Sequence, residues 1–308
     1  MTDQTVRPPV RHFINLDQIP TETLQSILTN ARELKAQKFS PPQLFAGLSL
    51  AMIFDKKSTR TRLSFEIAMK QLGGHTIVMT KDEMQLGGAE SIEDTAKVLS
   101  RFVDGVMIRL SNHETVEELA SYADIPVINA LTDASHPCQI MADLLTIEEK
   151  LGDIKGRKIA WFGDYNNVAK TFAQAAPKFG FDLTVAVPPP LTPDKKNVAT
   201  TITLTDDPIA AAKDADVIVT DTWVSMGQEG KQIDAFIPYR VTPDLMAKAK
   251  PHAIFMHCMP IHRGEEVTDD VLASPASVIY DEAENRLHAQ KAILAWCFEH
   301  SGVNVQHK

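Results

Sequence analysis

A chain of 308 residues is long for one hydrophobic core, and with 44% hydrophobic and 23% charged residues it has the composition of two folded domains, which excludes disordered and fibrous classes. A net charge of -9 and a pI near 5.6 exclude a general nucleic-acid binder, so any anion must be held by local cations and a small-molecule ligand is favoured. No apolar run approaches membrane-spanning length, and Cys138, Cys258 and Cys297 are too few, and odd in number, for a disulfide framework.

The opening MTDQTVRPPVRH carries an early acid and no apolar signal core, so a cytoplasmic protein without a transit peptide is expected. A helix is predicted near Thr21 to Lys38, then a strand from Leu48 to Phe54, a helix opening at Ser58 and a strand from His75 to Met79. A helix near Ser91 to Phe102, a strand Gly105 to Leu110, a helix near Thr115 to Tyr122 and a strand Pro126 to Ala130 follow. Such alternation specifies a largely parallel sheet with helices on both faces. A long helix from His136 to Lys150, with the turn Gly152 to Gly156, marks the crossing between domains. The second series has a strand Lys158 to Phe162, a helix Asn167 to Phe179, a strand Leu183 to Val187, a break at Pro188 to Pro190, and strands Val217 to Thr220 and Ala253 to His257. The last helix, Ala283 to Glu299, is expected to be apolar on one side through Leu287, Ala289, Ile293, Leu294 and Trp296.

The segment Lys56 to Gln71, KKSTRTRLSFEIAMKQ, has the form of a polar turn leading from a strand into a helix. With Ser58 as N-cap, the backbone N–H groups of Thr59, Arg60 and Thr61 lack helical partners, and with the helix dipole they make a phosphate seat. Arg60 adds a bidentate grip on phosphate oxygens. Leu63 with Ile67, and Ala68 with Leu72, give the helix an apolar side to bury. By residue type alone the segment reads equally as a capped surface helix. As a motif, SxRTRxSFE after a buried strand resembles the carbamoyl phosphate signature of the aspartate and ornithine carbamoyltransferase family.

Ligands of open α/β sheets sit beyond the C-terminal ends of strands, so those positions test the resemblance. Arg109 ends an apolar strand, where an arginine alone is more often a surface residue. In His136-Pro137-Cys138-Gln139 an imidazole and an amide can hydrogen-bond a neutral carbamoyl group. A helix-capping histidine, or half of a metal site with Cys138, are the alternatives, although the second spaced pair that zinc needs is missing. The HPCQ segment is similar to the family motif in which His136 and Gln139 touch the carbamoyl moiety, and Cys138 is expected to be a small buried thiol. The turn Gly163-Asp164-Tyr165-Asn166-Asn167 carries neither GxGxxG nor a P-loop, which disfavours dinucleotide and nucleotide chemistry.

After the next strand, Asp221-Thr222-Trp223-Val224-Ser225-Met226-Gly227 supplies a carboxylate and a hydroxyl at i+4, acceptors suited to a substrate bearing ammonium groups, or else a plain polar loop. It resembles the DxxxSMG motif of the ornithine-specific members of the family, and the resemblance makes Asn167, Asp221, Ser225 and Met226 the contacts to L-ornithine. Gly227 to Lys231 is expected to close over a bound amino acid. His257-Cys258-Met259-Pro260 is similar to the family's HCLP motif, with methionine for leucine. Neighbouring strand residues point to opposite faces, so a Cys258–His257 nucleophilic dyad, and the thiol hydrolase it would make, are not expected.

The resemblance covers nearly the whole chain. It implies two Rossmann-like α/β domains with mainly parallel sheets flanked by helices, the C-terminal helix returning to the first domain. Residues 1-138 would bind carbamoyl phosphate, 139-285 L-ornithine, and 286-308 would form the returning helix. The carbamoyl phosphate set would be Ser58, Thr59, Arg60, Thr61, Gln85, Arg109, His136, Gln139, Cys258, Met259 and Arg286, with Arg286 opening the last helix. Arg60, Arg109, His136, Asp221 and Cys258 would carry the chemistry. Tyr165, where family members commonly have glycine, would reshape the approach to Asn167. The implied reaction is transfer of the carbamoyl group to the δ-amine of L-ornithine, in arginine biosynthesis, without cofactor or metal. Gln85 would reach a neighbouring subunit's site, making the protein at least a homotrimer. Aspartate as acceptor would require cations in place of Asp221. Putrescine or N-acetylornithine as acceptor, and a non-catalytic two-domain binding protein, are the remaining alternatives.

Overall fold

The computed structural model describes residues 10–80, 83–84, 90–194, 198, 200–224 and 233–299. The chain divides into two compact units, one formed by Met1–Ala142 with Arg286–Lys308 and the other by Asp143–Asn285. Each is a parallel sheet flanked by helices.

Unit 1 opens with α1 (Thr21–Ala36), β1 (Ser49–Phe54), α2 (Thr59–Gln71), β2 (His75–Thr80), α3 (Ile92–Phe102), β3 (Gly105–Arg109), α4 (His113–Tyr122) and β4 (Val127–Leu131). Its sheet has the order β2-β1-β3-β4, all parallel. β1 is central, so SLAMIF is buried on both faces after its first residue, whereas the edge strand β2 alternates exposed and half-buried positions. Side chains start two helices: Ser91 Oγ accepts from Asp94 N at 3.0 Å, and Asn112 Oδ1 accepts from Thr115 N at 3.0 Å. The core gathers Ile53, Ala96, Leu99, Val106, Ile108, Val116, Leu119 and Val127 between sheet and helices.

Two expectations need correction here. α2 buries Thr61, Phe65, Ala68 and Met69, while Leu63 is 54% and Ile67 38% exposed, because they lie on the other side of the helix from the residues that meet the sheet. The last helix, α10 (Ile279–Phe298), starts a turn earlier than predicted, and from Asn285 to Phe298 it is buried nearly all round, with only Leu287 and Trp296 half-buried. Phe298 closes on Gly105 and stacks edge-on against Phe45 at 5.1 Å between centroids, and Trp296 does the same with Phe13 at 6.2 Å. Arg286 therefore lies two turns inside the helix.

Helix α5 (Pro137–Leu151) leads into unit 2, where β5 (Lys158–Phe162), α6 (Asn167–Phe179), β6 (Asp182–Ala186), β7 (Ile202–Thr205), α7 (Pro208–Ala212), β8 (Val217–Thr220), α8 (Pro243–Met246), β9 (Ile254–His257) and α9 (Asp269–Leu272) follow. The strand order is β7-β6-β5-β8-β9, again all parallel. Phe162, Ala211, Ile218, Tyr239, Val241, Phe255 and Val267 form much of its core. Before β8, the buried Asp216 accepts from Lys158 N at 3.0 Å, Arg157 Nη1 at 3.2 Å, Lys250 Nζ at 2.8 Å and His252 Nε2 at 3.0 Å, tying the N-terminal ends of three strands together. Burial opposes ionisation of Asp216, but these donors outweigh it and hold the carboxyl far below its ordinary range. Among the described residues no helix is long and apolar enough to cross a membrane.

Candidate functional site

In unit 1 the candidate residues gather beyond the C-terminal ends of β1, β3 and β4. Ser58 is the N-cap of α2 in extended conformation, and its side chain makes no capping bond. The first turn holds no acid, so the helix N-terminus presents Thr59, Arg60 and Thr61 with their positive partial charge unopposed from within the helix. Thr61 is buried and its Oγ1 accepts from two guanidinium groups, Arg109 Nη1 at 3.0 Å and Arg286 Nη2 at 3.3 Å. Arg286 Nη1 also donates to Gln139 Oε1 at 2.5 Å. Three sequence-distant segments, α2, β3 and α10, thus meet on one hydroxyl.

The loops beneath them are stitched together. Asp55 Oδ2 accepts from Ser111 N at 2.6 Å, and Ser111 O from Asp133 N at 3.0 Å. His136 precedes α5, and its carbonyl accepts from Gln139 N at 3.1 Å, so it starts that helix. Burial, then the charges of Arg286 and Arg109, hold its imidazole well below the usual histidine range, so the ring is neutral with one N–H to donate. Cys138 is buried, donates to Asn129 O at 3.3 Å, and is pushed by burial up to about 12. It is an inert thiol.

In unit 2 the turn after β5 needs Gly163 at φ +124°, a conformation other residues rarely adopt, and Trp161 Nε1 pins it by donating to Asp164 O at 2.9 Å. Asn166 caps α6 through Oδ1, which accepts from Val168 N at 3.0 Å and Ala169 N at 3.1 Å. That leaves its Nδ2 to donate to Asp221 Oδ2 at 2.8 Å. Asn167 is half-buried at the first position of α6, and Tyr165 is buried. Asp221 Oδ1 accepts from Thr222 N at 2.8 Å and from the Cys258 thiol at 3.3 Å. Burial, with the nearby carboxylates of Asp221, Glu282 and Asp143, keeps the Cys258 thiol well above its usual range. It is a neutral donor, not a thiolate.

The turn after β9 is held by two residues outside the motifs, Glu266 and Glu282. His257 N donates to Glu282 Oε2 at 2.8 Å, and His257 Nε2 donates to Glu266 Oε1 at 3.1 Å, all three residues being buried. Its Nδ1 then accepts from Met259 N at 2.8 Å and holds Met259 at φ +61°. No periodicity or spacing marks Glu266 and Glu282 as partners of His257; only the fold brings them there. Asn166 did carry a signal, as a polar residue two before the first apolar helix position, but its second bond to Asp221 depends on β8.

Strand β9 ends at His257, so strict alternation stops there. Donor atoms of Asp221, His257 and Cys258 lie within 4.8 Å of one another, which corrects the expectation that His257 and Cys258 point apart. A cation on this trio would have to displace bonds that both His257 nitrogens already make. His262, Glu265 and Glu266 gather in the same way, also within 4.8 Å. Gln85, Ser225, Met226 and the loop from Gly227 to Lys231 lie outside the described residues.

Two family models match the chain: the aspartate/ornithine carbamoyltransferase carbamoyl-P binding domain over residues 11–149, and the Asp/Orn binding domain of the same family over residues 155–297. The ornithine carbamoyltransferase of Brucella suis is 55% identical over 308 residues, covering 96% of this chain and 98% of that protein. The solved ornithine carbamoyltransferase of Pyrococcus furiosus aligns with a TM-score of 0.88 and 50% identity over 94% of this chain and 98% of its own. An N-acetyl-L-ornithine transcarbamylase solved with carbamyl phosphate aligns with a TM-score of 0.82 at 30% identity, over 93% of this chain and 99% of its own. Arginines meeting at an uncapped helix end in one unit, and a carboxylate bonded to a thiol in the other, thus lie in a chain covered almost end to end by both models, and the chain belongs to the aspartate/ornithine carbamoyltransferase family.

Proposed function

We propose that this protein catalyses the ornithine carbamoyltransferase reaction, in which L-ornithine and carbamoyl phosphate give L-citrulline and phosphate. The observation that carries the carbamoyl phosphate half is the meeting of Arg109 and Arg286 on Thr61 at the N-terminus of α2. Backbone N–H groups, the helix dipole and planar guanidinium forks all suit a phosphate dianion. We assign carbamoyl phosphate to residues 1-138 with the returning α10, held by Ser58, Thr59, Arg60, Thr61, Arg109, Gln139 and Arg286. The neutral His136 donates to the carbamoyl oxygen, where negative charge builds during attack.

L-Ornithine is assigned to residues 139-285, with Asn167, Asp221, Ser225 and Met226 as its contacts and Cys258 and Met259 at the reacting groups. Freeing an alkyl amine with a reference pKa near 10.4 costs roughly 3 kcal/mol at pH 8. Desolvation and acceptors on the δ-nitrogen offset this, and Asp221 supplies a carboxylate already oriented by Asn166, Thr222 and Cys258. The amine attacks the carbonyl carbon, the C–O bond to phosphate breaks, and the proton lost by the amine leaves with the phosphate. Aspartate is disfavoured because its second carboxylate would face Asp221.

The exposed apolar side chains Leu63, Ile67 and Ile77, on α2 and the edge strand β2, support self-association, which we assign to the trimer that the family resemblance implies. Three free thiols suit a reducing compartment, which supports a cytoplasmic site for the reaction. The test is carbamoyl transfer from carbamoyl phosphate to L-ornithine, beside aspartate, putrescine and N-acetylornithine. Citrulline from ornithine alone is expected. Product only with another acceptor would overturn the assignment of Asp221, and no product with any would return the chain to a binding role.

A further inference from the structure

The turn that delivers His136 is held by residues outside the carbamoyl phosphate and L-ornithine motifs. Thr132 is fully buried and directly follows β4; its N–H donates to Ser135 O at 2.8 Å, and its Oγ1 accepts from Ser135 N at 3.1 Å. The turn therefore closes on the residue before His136. His113, the first residue of α4, places Nδ1 2.8 Å from the same Oγ1. On its other side Nε2 lies 3.0 Å from Asn15 Nδ2. With the amide N–H on the Nε2 lone pair the ring proton sits on Nδ1 and is donated to Thr132; in the other tautomer the Thr132 hydroxyl donates to Nδ1, so the His113–Thr132 bond stands either way. Glu117 Oε1, 3.5 Å from Nε2, is the charged group beside the ring on α4.

We infer that His113 is a positioning residue for carbamoyl transfer: through Thr132 it fixes the β4–α5 turn, and with it the place of the His136 ring. The inference rests on the function proposed above. His136 is buried, so a shift of the turn displaces its N–H from the carbamoyl oxygen and the ring cannot recover by reorienting in solvent. A displacement of ~1 Å can cost about a hundredfold in rate.

The experiment is steady-state kinetics of the full-length protein as wild type, H113A, H113N, H113Q, T132V and H113A/T132V, with melting temperatures measured alongside. H113A is expected to lower kcat about tenfold or more with the KM for L-ornithine unchanged. H113N keeps a donor where Nδ1 stands and should restore most of kcat, whereas H113Q, with its amide displaced towards Nε2, should not. The double variant should be no slower than T132V alone, because both changes break one connection. Loss of melting temperature without this pattern, equal rates for H113N and H113Q, or additive losses in the double variant would overturn the inference. Citrulline from the wild type with an unimpaired H113A sinks the inference alone; no citrulline from the wild type sinks the proposed function and the inference with it.

Discussion

Thr61 shows how much one hydroxyl organises. It is the third residue of α2, too short to reach an anion far from the helix, yet it anchors both Arg109 and Arg286. Arg60 stands beside it, half-buried, at the helix opening. Arg60→Lys keeps the charge but not the planar fork, so kcat/KM for carbamoyl phosphate should fall about a hundredfold or more. Initial-rate kinetics decide this, and wild-type values would remove the phosphate seat from the mechanism. Asp221→Asn keeps an acceptor for Cys258 but loses the charge that attracts the ammonium. Turnover should drop steeply with little change in carbamoyl phosphate affinity, and an unchanged turnover in the same assay would take Asp221 out of the chemistry. Asp216 is the stability counterpart at the opposite end of its sheet. Because its folded carboxyl is held below the unfolded value of about 3.9, its contribution is full above that pH and declines as the pH falls towards the folded value. Asp216→Asn should therefore cost about 3 kcal/mol at pH 7, a difference that begins to shrink below about pH 4 in denaturant titrations.

At the scale of elements, long apolar runs with turn residues at their ends were readable, and β5, α6 and β8 fall at the predicted boundaries. The short edge strand β7 was not, since ITLT has four residues and only half-buried or exposed side chains. Nor was the first turn of α10, where Asp281 and Glu282 interrupt any apolar stripe. Helical spacing cannot say which of two apolar pairs on α2 faces the sheet, and Leu63 and Ile67 turned out to face away. The same limit applies to the site. Strand ends flag Arg109, Asp221 and Cys258 one by one, but the bonds that His257 donates to Glu266 and Glu282 cross nine and 25 residues of chain. Packing between α10 and the first sheet gives a sharp test: a Cβ on Gly105 would lie 2.6 Å from Phe298 Cε1. Gly105→Ala should destabilise the protein by about 1–3 kcal/mol, measured by chemical unfolding, and Phe298→Leu in the same chain should recover part of the loss.

For the whole molecule, Leu63, Ile67 and Ile77 are exposed apolar groups on α2 and β2, and the self-association proposed above would cover them. Leu63→Lys with Ile67→Lys should lower the sedimentation coefficient of the assembly. An unchanged value would move the contact elsewhere on the surface. Unit 1 itself is made of two stretches of chain separated by all of unit 2, and its second stretch brings Arg286, Trp296 and Phe298 into the first. That arrangement orders the protein's birth. On the ribosome, unit 2 has its whole sequence in hand once Asn285 emerges, while unit 1, begun far earlier, waits for the codons that follow. The part of the chain made first is thus the last able to finish folding, and no nascent fragment short of α10 can hold the arginine pair on Thr61.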